Sequence, residues 1–245
     1  MVPEDKINDF VRRVREAAGT NIESVILYGS AVAGEFHPGI SNVNLFCVLR
    51  DSSFSALQAL AAVVKWWDRQ KQPPPLFMTR AELERSTDVF TIELLDIQQH
   101  HRVLFGADVL QGLRVPMQFH RVQVEYELRE KLILLRQQVL LAAESNSRLW
   151  DLLVHSAPSF ITLFRHALIA LGEPAHDGKH ETLQALSRRV GFDSAAINKV
   201  LDVRERRTNP KTMNVKDICA GYLAAIEKVV AAVDKALDSS SSSSA

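Results

Sequence analysis

A Gly29-Ser30 pair closes the apolar run from Ser24 to Tyr28, and Asn42-Val43-Asn44 leads a second apolar run to Leu49. Each part of this pattern could do chemistry. A glycine-serine turn after a strand lets backbone amides and a hydroxyl approach a phosphate at the start of a short helix. Alternate residues on a strand point the same way, so Asn42 and Asn44 aim two amide side chains at one spot. An amide oxygen is a neutral ligand, and its NH₂ group repels a cation. The pair therefore suits donation to an anion better than coordination of Mg²⁺, a small hard ion that takes anionic oxygens. Three acids could serve the same place: Glu35, Glu93 and Asp96.

Gly29-Ser30, Gly34, the Pro38-Gly39 turn, Ser41 and the apolar-flanked triplet together resemble the signature of the nucleotidyltransferase superfamily (polymerase beta-like). The resemblance covers roughly residues 20 to 113, and Leu104-Phe-Gly-Ala-Asp-Val-Leu110 looks like the exit of that domain in many members. In the family the triplet is Asp-apolar-Asp, and its carboxylates hold two Mg²⁺ ions that clamp the triphosphate and activate the acceptor oxygen. Both aspartates are replaced here by Asn42 and Asn44. One pair of unit charges at 4 Å is worth roughly 4 kcal/mol at an effective dielectric near 20, about a thousandfold in rate. A third family carboxylate usually lies on a following strand. Leu76-Phe77-Met78 has none, and the next acids are Glu82, Glu93 and Asp96.

The resemblance thus implies a catalytically degenerate nucleotidyltransferase-like protein. It would bind a nucleotide through Gly29, Ser30, Asn42 and Asn44, or a partner, in regulation or assembly, with no metal and no cofactor. Two alternatives stand beside it. One is an active nucleotidyltransferase that recruits Mg²⁺ through Glu93, Asp96 or Glu35. The other is a pure protein-interaction module whose cleft binds nothing.

Other residues carry weaker signals. Arg148 and His155 have the Arg-x₆-His spacing of some helical ribonuclease partners of small nucleotidyltransferases, but Leu149 stands where a polar residue is usual, and a surface arginine with an isolated histidine fits better. His100-His101, His120, His166, His176 and His180 lack paired metal spacing, and the polar stretch His176 to His180 is only a weak metal candidate. Glu125, Glu127, Arg129, Glu130, Lys131 and Arg136 read as a solvated helix face with i,i+4 pairs; a lesser reading has Lys131 and Arg136 reaching for phosphates. Arg204, Arg206, Arg207 and Lys211 mark a helix end, where cations complement the dipole. Trp66-Trp67 suggests packing against a helical domain rather than base stacking.

These residues must be held by an α+β fold. Pro3 to Ala18 reads as an amphipathic helix, with Ile7, Phe10, Val11 and Val14 on one face. Strands are expected at Ser24 to Tyr28, Val43 to Leu49, Leu76 to Met78 and Val89 to Leu95. A helix spans Ser55 to Gln70 until Pro73-Pro74-Pro75 stops it. Thr79 and Glu82 have capping-box spacing, and Ile97 to Val103 reads as a short helix or a turn. After Gly112 the periodicity is helical: Met117 to Ala143, Arg148 to Val154, Ser156 to Leu171 with Pro158 in its first turn, Lys179 to Val190, Ser194 to Arg207 and Val215 to Leu237. The expected organisation is a mixed-sheet domain over 1–113, a helical bundle over 114–238 and a disordered serine-rich tail over 239–245.

The composition bounds the rest. Of 245 residues 47% are apolar, 24% are charged, and the formal net charge is zero. No global basic field draws the chain to nucleic acid or to an anionic membrane. No apolar run looks long enough to span a bilayer and no signal peptide is evident, so the cytoplasm is the expected location. Cys47 and Cys219 read as buried thiols. A protein partner or a second copy is expected to use the helical domain.

Overall fold

The computed structural model describes residues 2–34, 36–38 and 41–241. Contacts divide the chain into two compact units, Met1–Met117 and Gln118–Ala245.

The first unit runs α1 (Glu4–Ala18), β1 (Ile22–Tyr28), β2 (Asn44–Leu49), α2 (Phe54–Arg69), β3 (Leu76–Thr79), α3 (Arg80–Arg85), α4 (Thr91–Gln99) and β4 (His101–Gly106). Its sheet has the order β3-β2-β1-β4. β1 is antiparallel to both β2 and β4, while β2 and β3 are parallel, joined by α2 as the crossover. The central strands are buried on both faces, which explains their unbroken apolar runs. Val25, Leu27, Val43, Leu45, Cys47 and Leu49 pack with Ile7, Phe10, Val14, Leu60, Val63 and Trp67 of α1 and α2. Ile26, Phe46 and Val48 face the other way, against Leu83 of α3 and Leu94 and Ile97 of α4.

Two expectations change here. The stretch from Val89 to Leu95 is not a strand: α4 occupies Thr91–Gln99 and β4 follows it at once. Thr91, Leu94 and Ile97 recur every three residues and bury one helical face, and the Thr91 hydroxyl donates back to the Thr87 carbonyl at 3.2 Å. That tertiary fit overrides the strand-like composition. The tryptophans pack within this same unit. Trp67 is fully buried with its ring 5.0 Å from that of Phe10, and Trp66 lies under the Arg13 guanidinium at 4.4 Å. The Thr79–Glu82 box forms as expected, with each side chain accepting from the other's backbone amide.

The second unit contains α5 (His120–Ala142), α6 (Asn146–Ala170), α7 (Lys179–Val190), α8 (Ala195–Arg204) and α9 (Val215–Ser241). α9 includes the first serines of the tail; residues 242–245 lie outside the described residues. α6 replaces the two helices expected on either side of Ser156. It begins at an N-cap on Ser145 and continues through Pro158. Proline cannot donate to the carbonyl four residues back. That carbonyl, of Val154, instead accepts from the buried Arg204 guanidinium at 2.9 Å. α6 is also long and apolar enough to span a membrane, with a mean hydropathy of 1.3 in its most apolar window, contrary to the expectation that no apolar run reaches that length. Here Leu153, Ala157, Phe160, Ile161, Phe164 and Ala167 of α6 are buried in the helical unit's core.

The charges on α5 are mostly spoken for. Arg129 pairs with Glu125 and with Asp234 of α9, Lys131 with Glu127, and Arg136 with Glu227 of α9. Lys131 and Arg136 are therefore engaged by acids of their own unit rather than held out for phosphates. Arg148 and His155 are both exposed, as a surface pair should be. Cys47 and Cys219 are free and buried, and burial pushes both thiols up.

Candidate functional site

β1, an inner strand, ends at Tyr28 and delivers Gly29 to the end of the sheet. Gly29 has φ +76, a left-handed conformation that costs a side-chain-bearing residue energy. Its amide donates to the His100 carbonyl at 3.1 Å, and its own carbonyl accepts from Val32 and Ala33. The helix expected to start here is a single 3-10 turn, Gly29–Ala31. Because the Gly29 amide is already bonded, the donors available at this turn begin with Ser30. The Ser30 hydroxyl makes no hydrogen bond to another described residue.

β2 places Asn44 directly across from Tyr28. Strand alternation turns Val43, Leu45 and Cys47 toward α1 and α2, so Asn44 shares the opposite face with Phe46 and Val48, on the α4 side. The Asn44 amide nitrogen stands 3.2 Å from the point where a β-carbon on Gly29 would sit. Asn44 thus lies against the glycine turn. Asn42 does not reach the strand: it is exposed and precedes β2 by two residues. The backbone between them is tied by the Val43 amide to the Gln72 side chain at 2.7 Å.

The acids divide. Glu93, on the first turn of α4, is exposed, and its charge acts on Tyr28. The Tyr28 hydroxyl is pushed up first by burial and then by Glu93. Asp96 lies one turn further along α4 and is half-buried. Glu35 lies outside the described residues. Glu82 is committed to its capping box, where the Thr79 amide and hydroxyl and the Ser52 hydroxyl hold its carboxyl below the usual range. β3 carries no acid. Beside the turn the described residues therefore offer one amide on the strand and a carboxylate on α4. That donor set does not fit a two-Mg²⁺ clamp, which needs converging carboxylates.

Restoring the acids should restore the ion. Asn44→Asp places an anionic oxygen against the Gly29 turn, with Asn42→Asp adding a second carboxylate just before β2, and Mn²⁺ titration calorimetry should detect in the double variant one divalent site more than in the natural chain. Equal Mn²⁺ stoichiometry and affinity in the two proteins would show that the two substitutions create no site at the turn.

Histidines that the sequence left as isolated are brought into partnerships by the fold. His120 Nε2 lies 2.8 Å from His166 Nδ1, with both rings buried between α5 and α6. His180 meets Asp202 and Glu205, their ligand-capable atoms all within 4.8 Å of one another. His101 bonds Asp108 at 3.1 Å. Burial alone would raise the Asp108 carboxyl, but His101 and the Leu110 and Gln111 amides outweigh it and hold it low.

Residues 7–98, which run from α1 through α4, match the family model described as nucleotidyltransferase domain. Among solved structures, spectinomycin adenyltransferase AAD(9) from Enterococcus faecialis, crystallised with ATP and spectinomycin, aligns with a TM-score of 0.60 at 13% identity. The alignment covers 92% of this chain and 98% of that one. A nucleotidyltransferase-like protein from Exiguobacterium sibiricum 255-15 aligns with a TM-score of 0.36 at 12% identity, over 94% of this chain and 78% of that one. No curated protein matches the sequence.

Proposed function

We propose, from the nucleotidyltransferase domain that residues 7–98 carry, that this protein binds a nucleotide or its phosphates at the Gly29 turn without transferring a nucleotidyl group. It would act in regulation or assembly. The observation that carries the reading is Asn44: the strand position that faces the turn holds an amide, packed against a glycine whose positive φ and close Asn44 neighbour disfavour a side chain. An amide donates to a phosphate oxygen, whereas a carboxylate there would repel a phosphate in the absence of a cation. The neighbouring adenyltransferase was crystallised with ATP, which makes ATP the first ligand to test.

Two measurements bear on this. Purified protein given labelled ATP, GTP, CTP or UTP with Mg²⁺ should form no product above background with small molecules, RNA or itself. Sustained Mg²⁺-dependent turnover that disappears in Ser30→Ala would overturn the proposal and support catalysis through Glu93 and Asp96. That second reading has one observation in its favour, the Glu93 charge acting on Tyr28 beside the turn.

In EDTA, millimolar triphosphate should raise the melting temperature of the natural protein by a degree or more, because binding to the native state alone stabilises it. Gly29→Val should abolish that gain. The substitution also strains the turn, through its positive φ and the nearby Asn44 amide, so its apo melting temperature is the necessary reference. No shift in the natural protein would favour an interaction module instead.

A further inference from the structure

We propose that His180, Asp202 and Glu205 form a divalent metal site in the helical unit, taking Zn²⁺, with Arg207 occupying the place of the ion until it is displaced. Nothing about this site depends on the glycine turn or on the reading given above.

The histidine is oriented as a metal ligand. His180 sits on the first turn of α7. Asn198 donates its amide NH₂ to the Ser194 hydroxyl at 3.3 Å and turns its carbonyl oxygen to His180 Nδ1 at 3.0 Å. An oxygen acceptor fixes the proton on Nδ1, so in the neutral ring Nε2 carries the lone pair. Metal-binding histidines are commonly held in this way by an acceptor on the ring nitrogen that does not bind the metal. Nε2 then faces Glu205 Oε2 at 3.4 Å, acceptor against acceptor. A cation between the two groups, or a second proton on the ring, satisfies such an arrangement.

The carboxylates converge on the same point. Asp202 and Glu205 lie three residues apart at the end of α8, with Glu205 the capping residue after Arg204. The Glu205 side chain is only 9% exposed. A cation here also complements the carboxyl end of α8. Ligand atoms on one zinc, each at about 2.1 Å, stand roughly 3.4 Å apart; the present spread of up to 4.8 Å closes by small side-chain rotations. One nitrogen and two carboxylate oxygens suit zinc and leave a fourth position for water.

Arg207 supplies the positive charge in this structure. Its guanidinium lies 3.1 Å from Glu205 Oε2, 3.4 Å from His180 Nε2 and 4.0 Å from Asp202 Oδ1. The chain is folded back to put it there. Arg206 takes φ +59, and the Arg207 amide closes the turn on the Asp202 carbonyl at 2.8 Å. Yet the Arg207 side chain is 61% exposed, so it can swing into solvent when an ion takes its place.

Calorimetry with Zn²⁺ alone, on the full chain, decides the matter. The natural protein should bind one Zn²⁺ at this site. Arg207→Gln should bind at least tenfold more tightly, since the competing cation is gone, and His180→Ala should bind at least thirtyfold more weakly. Should His180→Ala fail to fold, Asp202→Asn with Glu205→Gln tests the same loss. Equal affinity in the natural protein and in the ligand variants would overturn the proposal by placing the ion elsewhere. Binding by Arg207→Gln alone, or by neither protein, would also overturn it and leave Arg207 as the permanent partner of the two acids.

Discussion

Gly106→Ala is expected to destabilise the sheet unit by roughly 2–5 kcal/mol. β4 ends at Gly106, opposite Ser24 of β1, with φ +78. A β-carbon there would sit 1.9 Å from the Glu23 carbonyl oxygen and 2.9 Å from the carbonyl carbon. Both atoms belong to the backbone, so no side chain can rotate out of the way. The left-handed conformation costs an alanine roughly 1–2 kcal/mol, and forcing the strands apart adds roughly 1–3 kcal/mol. Gly112→Ala is the matched control: its φ is +79, but nothing lies within 4 Å of the added carbon, so it should bear only the backbone cost. Urea midpoints for the two variants separate the contributions. A Gly106→Ala midpoint no lower than that of Gly112→Ala would mean that the strand contact yields freely. The effect should reach the candidate site, because the strand pushed aside is the one that ends in Tyr28 and Gly29.

Acid should weaken the helical unit well before most carboxylates titrate. His120 is buried at the start of α5 and shares a hydrogen bond with His166. Its pKa is lowered from 6.5 to about 4, first by burial, then by the charge of His166 and that of the adjacent Arg121. The native state therefore resists a proton that the unfolded chain accepts. The stability from keeping His120 neutral is complete above pH 6.5 and is lost as the pH falls toward 4. A shift of this size is worth about 3 kcal/mol. Urea unfolding at pH 7.5, 5.5 and 4.5 should reveal it as a falling midpoint. In His120→Gln, which cannot ionise, the fall between pH 7.5 and 5.5 should be much smaller. An unchanged pH profile in that variant would assign the loss to other groups.

What the sequence made legible was local. Tyr28-Gly29-Ser30 and the run from Asn44 to Leu49 announce themselves because a buried strand ending in glycine has few other uses. Thr79 and Glu82 were readable because a capping box spans only four residues. α4 and β4 were misassigned: Val89 to Leu95 is rich in β-formers, and only the sheet face that receives Leu94 and Ile97 makes it a helix. Asn42 looked equivalent to Asn44, but the strand begins two residues later. The histidine partnerships were invisible for a different reason. His120 and His166 lie 46 residues apart, and His180 and Glu205 lie 25 apart. No spacing rule links residues whose meeting depends on how helices pack.

Pro158 bears on the order in which the helical unit folds. The rung that proline removes from α6 is replaced by a donor from another helix, the Arg204 guanidinium on the Val154 carbonyl. Until α8 docks, that carbonyl has only water to bond, and a helix weakened at a proline readily breaks there. A chain emerging from synthesis has made all of α6 some thirty residues before it makes Arg204. During that interval α6 is expected to break near Ser156 into the two shorter helices read from the sequence. On this expectation a later part of the chain completes α6.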